Sequence, residues 1–215
     1  ITLVSGMEGL STNSLFELKQ GFLMQIGPAI EMGRSFIHPD YQRQPASLSL
    51  LWRGIGEFIA QNPRYVNLFG PVSISQSYSS TSRDLLLRYL KNNHFDRKMA
   101  EQVRARTPYR SPKAMLARGN ARTTPKDLDE VSNLIAEIEQ DNKGVPVLVR
   151  HYIRLGAQFL SFNVDRDFAN ALDGLIVVNI LNVHPSLAKR FMGKENHAAY
   201  QRYHQEQHAQ HQQAG

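Results

Sequence analysis

Four groups of residues in this 215-residue chain have types and spacings suited to chemistry. In "EMGR", residues 31–34, an acidic and a basic residue stand three apart on a strand-like run. A regular strand would turn them to opposite faces. A bulge at Gly33 would bring Glu31 and Arg34 to one side, and bulges are frequent beside active sites; the alternative is an ion pair that merely pins the strand. Shortly after comes a basic loop, "QRQPAS" at 42–47, leading into a helix-like run. A helix N-terminus leaves N–H groups unpaired and carries partial positive charge, so the start of the helix at Ser47 is a natural anion site, with Arg43 supplying charge. Pro45 removes a donor and no glycine lets the backbone close around a pyrophosphate, so the loop suits a single phosphate better.

The third group is a basic block. From Arg83 to Lys126 twelve Lys and Arg face three acidic residues, a net +9, whereas the whole chain carries +6. Such a block suits an acidic protein, a phosphate-bearing cofactor, anionic lipid or nucleic acid, or is simply a solvated surface. It has little aromatic interleaving beyond Tyr89, Phe95 and Tyr109, so specific nucleic-acid recognition is not expected. The fourth group is His197, His204, His208 and His211 in a Gln-rich tail. His204 and His208 have the spacing of one helix face, but the tail lacks an apolar stripe, so residues 194–215 read as a disordered or weakly helical appendage with no metal expected.

These groups need elements to hold them. The chain has 41% hydrophobic residues, enough for one core, which predicts a single domain over 1–193. It has no cysteine, hence no disulfide, thiolate metal site or cysteine nucleophile, and no apolar run long enough to span a membrane, so a cytoplasmic setting is expected. Because the first residue is Ile1 rather than Met, N-terminal strands are expected to be missing. Residues 14–24 read as a short helix and 28–38 as a strand. Leu48, Leu51, Trp52, Ile55, Phe58 and Ile59 mark one face of a helix, in which Gly54 and Gly56 predict close packing against a sheet. "RYVNLFGPVSI" (64–74) reads as a strand parallel to the first, with Pro71 preventing normal pairing on both sides. Further helices are predicted at 79–93, after Pro125, and between Pro146 and Gly156, with an irregular basic stretch at 106–125. "AQFLSFNV" reads as a half-exposed strand, "GLIVVNIL" as a buried one, and 185–192 as a last helix.

Three blocks, "IEMGRSFIHPDYQ", "LLWRGIGEFIAQNPRYVNLFGPVSIS" and "VPVLVRHYIRLGAQFLSFNVDRDFANALDGLIVVNI", resemble in order the GNAT-like acyltransferase domain of bacterial proteins labelled hemolysins. That family includes the ornithine N-acyltransferases of ornithine lipid synthesis and is distantly similar to the acyl-homoserine-lactone autoinducer synthases. The resemblance covers about residues 10–193 by this reading. It implies an α/β (α+β) fold, a mixed sheet flanked by helices with two splayed parallel strands that admit a thioester's pantetheine arm. It also implies an enzyme moving a 3-hydroxy fatty acyl group from acyl carrier protein, or from coenzyme A, to the amine of an amino acid such as ornithine. No tightly bound cofactor is implied; acyl-phosphopantetheine or acyl-CoA is a co-substrate, and peripheral contact with the inner membrane fits aminolipid synthesis.

Carried onto this chain, the resemblance makes Glu31 the base or amine-orienting carboxylate and Arg34 the holder of the acceptor's carboxylate. Tyr152 stands where related folds protonate the leaving thiolate. Arg43, Gln44, Ala46 and Ser47 would hold phosphate, and the backbone at Phe69, Gly70 and Val72 would polarise the thioester carbonyl. Arg150, Asp165 and Asp173 match recurring positions, to bind substrate or to tie the fold together. The competing expectation is a catalytically silent module that binds a carrier protein or an anionic lipid surface.

Overall fold

The computed structural model describes residues 9–33, 38–41, 44–111, 125 and 127–213. Arg34, Arg43 and most of the basic stretch beyond Ser111 lie outside them.

The centre is a four-stranded mixed sheet in the order β2 (Ala29–Glu31), β3 (Asn67–Ile74), β6 (Ala171–Asn179), β5 (Gln158–Asp165). Only β2 and β3 are parallel, and α2 (Pro45–Gln61) makes the crossover between them. Every residue from Ala171 to Val178 is buried, as expected of a strand covered on both faces. One face packs against α2, α3 (Ser80–Asn93), α5 (Leu128–Ile138), α6 (Val147–Arg154) and α7 (Pro185–Met192), through Trp52, Leu86, Leu90, Ile135, Val149 and Phe191. The other packs against α1 (Gln20–Ile26) and a two-stranded sheet of β1 (Phe16–Leu18) with β4 (Val103–Ala105). The short helix α4 (Arg97–Ala100) leads into β4.

Several local expectations change. Residues 14–24 are not one helix: Phe16 and Leu18 alternate with exposed Glu17, the period of a strand, and pair with β4. The strand expected over 28–38 is described only as Ala29–Glu31. Gly56 does pack closely, but against the backbone of α7 and not the sheet, because a Cβ there would lie 2.5 Å from the Phe191 carbonyl oxygen. β5 is more buried than its alternation suggests. A bulge between Phe159 and Ser161 puts Phe159 and Phe162 on the same face and Leu160 on the other. Their rings stack at 5.5 Å beneath Gly174. The tail forms helix α8 (Lys194–Gln213), which buries His197 and Tyr200; the Tyr200 hydroxyl donates to the Tyr65 carbonyl at 2.8 Å. Among the described residues no helix is long and apolar enough to cross a membrane, and no three His, Asp or Glu are grouped to hold a metal ion.

Glu139, after α5, holds the start of α3. The Ser82 hydroxyl, then the Ser79 N–H (2.9 Å) and hydroxyl, together with Lys143, draw its carboxyl down to about 2 against the opposing effect of burial.

Two measurements check this packing. In Gly174→Ala the new Cβ would sit 2.6 Å from Phe159 Cε1, inside a fully buried ring stack; the expected loss is about 1–3 kcal/mol, read as a lower urea midpoint. Glu139 has a folded-state pKa below its ordinary 4.5, so its contribution is present above that value and is lost as pH falls from 4.5 towards about 2. Melting temperatures across that window should fall less steeply in Glu139→Gln than in the wild type.

Candidate functional site

The parallel ladder between β2 and β3 is short. Ala29, Ile30 and Glu31 pair with Asn67, Leu68 and Phe69, and the Met32 N–H donates to the Phe69 carbonyl at 2.7 Å. β3 continues to Ile74, paired on its other side with β6 throughout. From Gly70 onward, the edge of β3 that faced β2 has no partner strand among the described residues.

Two residues set that ending. Gly70 passes so close to Met32 that a Cβ there would collide with the Met32 carbonyl oxygen, so only glycine lets the two backbones approach at this point. Pro71 lacks an N–H. Because peptide groups alternate along a strand and the Phe69 carbonyl points at β2, the missing donor of Pro71 lies on that same edge, and no bond to β6 is lost. The same alternation turns the N–H groups of Gly70 and Val72 towards β6 and that of Phe69 into the β2 ladder. The first backbone N–H on the unpaired edge is that of Ser73.

On the β1/β4 side of the sheet lies Glu31. Its carboxylate accepts the N–H of Ser11 (3.2 Å) and of Thr12 (2.6 Å), holding the start of the 3-10 turn Ser11–Ser14. Gly33 lies against Ser11, whose Oγ would be 2.5 Å from a Cβ. Arg34 and Arg43 lie outside the described residues. α2 starts at Pro45, two residues before Ser47. The Ser47 N–H donates to the Gln44 carbonyl (3.1 Å) and its hydroxyl to the Tyr41 carbonyl (2.8 Å), while Gln44 makes no side-chain cap and Ala46 is exposed.

On the opposite side, Tyr152 of α6 meets the Trp52 ring edge-on at 5.6 Å, and burial pushes its hydroxyl above the usual phenol range. His151, which the sequence did not single out, lies between Trp52 (4.8 Å) and Phe191 (5.7 Å). Its buried Nε2 has no hydrogen-bond partner, and burial, with Arg154 and Arg190 adding to it, favours the neutral ring. Beyond Trp52 an apolar cavity of about 30 Å³ separates α2 from α7, lined among others by Ile55, Ile59, Leu68 and Met192.

Arg150 and Asp165 are not brought to Glu31. Arg150 is ion-paired to Asp129 of α5. Asp165, on the strand farthest from β2, accepts the N–H groups of Asp167 (2.9 Å) and Phe168 (3.1 Å) in the β5–β6 turn. Asp173 differs from both. It is 1% exposed, its Oδ1 accepts the Ser73 hydroxyl at 2.5 Å, and its buried Oδ2 has no partner. Burial raises its pKa, the Ser73 bond opposes that, and Asp165 adds to the rise.

The acetyltransferase (GNAT) domain family matches residues 2–53, which hold Glu31 and the start of α2. The chain is 33% identical over 100 residues to a glycine N(alpha)-acyltransferase of Bacteroides thetaiotaomicron, covering 43% of this chain and 30% of the relative. It is 33% identical over 97 residues to the glycine N(alpha)-acyltransferase of Phocaeicola vulgatus, covering 42% and 29%. The chain thus spans under a third of the length of these curated relatives. No solved structure matches it significantly. A mixed sheet flanked by helices, entered through a GNAT-matching N-terminal segment, gives this protein a GNAT-like, acyl-CoA N-acyltransferase type of fold.

Proposed function

We propose that this protein is an N-acyltransferase that moves a fatty acyl group from a pantetheine thioester to the amine of a small amino acid. The observation that carries this reading is the unpaired edge of β3 beyond Gly70 and Pro71, beside the N-terminus of α2 and within a GNAT-like fold. A thioester arm is an extended chain with amide groups, and an unpaired strand edge is where such a chain finds hydrogen bonds. The donor is acyl carrier protein carrying a 3-hydroxy fatty acyl group, with acyl-CoA as the alternative. The glycine-free loop before α2 favours the smaller phosphate load of a carrier protein, and the basic residues from Arg83 onward suit an acidic carrier. The acceptor is glycine, the amino acid in the relatives' names, or ornithine, as in aminolipid synthesis.

In the reaction the neutral amine attacks the thioester carbonyl, the C–N bond forms, the C–S bond breaks and the thiolate takes a proton. Glu31, its oxygens held by two N–H groups, orients the ammonium, and Arg34 receives the acceptor's carboxylate. Tyr152 supplies the proton to sulfur. Arg43, Gln44, Ala46 and Ser47 border the phosphate. Phe69, Gly70 and Val72 form the strand against which the arm lies, and the Ser73 N–H polarises the carbonyl. Arg150 and Asp165 act from the periphery. A second reading, a silent module that binds a carrier protein without turnover, is favoured by the engagement of Glu31 with Ser11 and Thr12.

Mass spectrometry of mixtures containing palmitoyl and 3-hydroxypalmitoyl donors, on coenzyme A and on carrier protein, with glycine or ornithine, tests the reading. N-acyl amino acid should form, and Glu31→Gln should lower kcat/KM for the amine by about 10-fold or more. Carrier binding with no product from any pair identifies the silent module.

A further inference from the structure

Asp173 is the one acidic residue on β6, a strand otherwise apolar from Ala171 to Val178 apart from Gly174. Burying a carboxyl is unfavourable unless its oxygens are satisfied, and only one of these is. Its neighbours on β3 and β5 are polar as well. Ser73 and Asn163 are its cross-strand partners, and the Asn163 amide oxygen is occupied by the Thr107 N–H at 2.7 Å. The Ser73 side chain is exposed at the unpaired end of β3, whereas Asp173 is sealed behind it. Ser73 and Asp173 are not a hydrogen-bonded backbone pair, the arrangement in which side chains come closest across a ladder. Their 2.5 Å contact therefore joins the surface to a buried carboxyl at the point where β3 offers its first free N–H. Glu31, by contrast, already uses both oxygens on the backbone of Ser11 and Thr12.

Resting on the acyl-transfer reading, we propose that Ser73 receives the acceptor's ammonium and that Asp173, acting through it, takes the proton. The ammonium N–H proton passes to Ser73 Oγ as the Ser73 hydroxyl proton passes to Asp173 Oδ1. The carboxylate becomes a carboxylic acid, Ser73 ends as it began, and the amine is left neutral to attack. Ser73 is the catalytic residue and Asp173 the positioning, proton-accepting residue behind it. Burial raises the affinity of Asp173 for a proton, as this step requires. Of the charged groups on flanking elements, Asp165 of β5 acts in the same direction, while the Arg106 guanidinium next to β5 is turned to the Asn13 carbonyl at 2.7 Å.

Two arms test the inference separately from acyl transfer itself. In the first, glycinamide is titrated into the wild-type protein and carboxyl carbon resonances are followed by NMR, with that of Asp173 identified by its loss in Asp173→Asn. The Asp173 resonance should move to saturation, and in Ser73→Ala it should not. In the second, turnover with whichever donor and acceptor react is compared at neutral pH. Ser73→Ala should lose on the order of 10²-fold in kcat with KM for the acyl donor unchanged, should recover as pH approaches the acceptor amine's own pKa, and Ser73→Thr should keep the rate. An Asp173 resonance indifferent to amine, or a Ser73→Ala enzyme with wild-type kcat at neutral pH, overturns the proposal. Movement of the resonance without turnover from any substrate pair supports the amine site and removes the acyl-transfer reading instead. Should Asp173→Asn not fold, Ser73→Ala carries both arms, because it removes an exposed hydroxyl.

Discussion

The ladder between β2 and β3 ends after three residue pairs, and the functional geometry depends on that ending. Backbone hydrogen bonds along a strand edge are normally satisfied by a neighbour. Here Gly70 brings the Met32 backbone into tight contact, and Pro71, two residues beyond the last pair, withholds the donor that a continuing partner would need. The proline costs β6 nothing, because its nitrogen lies on the far side of β3. A strand thus keeps full pairing on one edge while the other becomes available to an extended ligand.

The two faces of the sheet divide the remaining work by polarity. On the side of α2, α6 and α7, the surroundings are aromatic: Trp52, His151, Tyr152 and Phe191 pack ring against ring. Buried there, His151 is held neutral and Tyr152 keeps its proton. On the side of β1 and β4, buried polar groups gather near the end of β3. Thr12, Asn163 and Asp173 are each no more than 2% exposed. Thr12 Oγ1, like Asp173 Oδ2, has no partner. Unmet buried polar atoms are unfavourable, and two of them on the segments bordering one strand end are better explained by a ligand's requirements than by packing.

The engagement of Glu31 illustrates how a carboxylate can be both structural and poised. Two N–H groups fix its orientation and tie residues 11 and 12 to the strand that bears it. Charge-assisted bonds of this kind are strong enough to hold a short 3-10 turn that makes no side-chain cap of its own. The same bonds occupy the lone pairs that proton abstraction would use, which moves the search for a base one strand inward, to Asp173.

What the sequence alone determined was whatever depends on neighbours a few residues away. The apolar spacing from Leu48 to Ile59 delivered α2, Pro146 and Gly156 bracketed α6, the continuous apolar run from Gly174 foretold a strand buried on both faces, and Pro71 announced the one-sided pairing of β3. What only the tertiary structure decided involves partners far apart in the chain. The strand character of Phe16–Leu18 comes from Val103–Ala105, the close packing of Gly56 from Phe191, and the ordering of the polar tail from the burial of His197 and Tyr200 near Tyr65. The site follows the same division. Glu31 was legible as a carboxylate beside a strand end, but its hold on Thr12 was not, nor was the union of Ser73 with an aspartate 100 residues away. Periodicity reports which face a residue takes; only the ladder register reports which side chain stands opposite it.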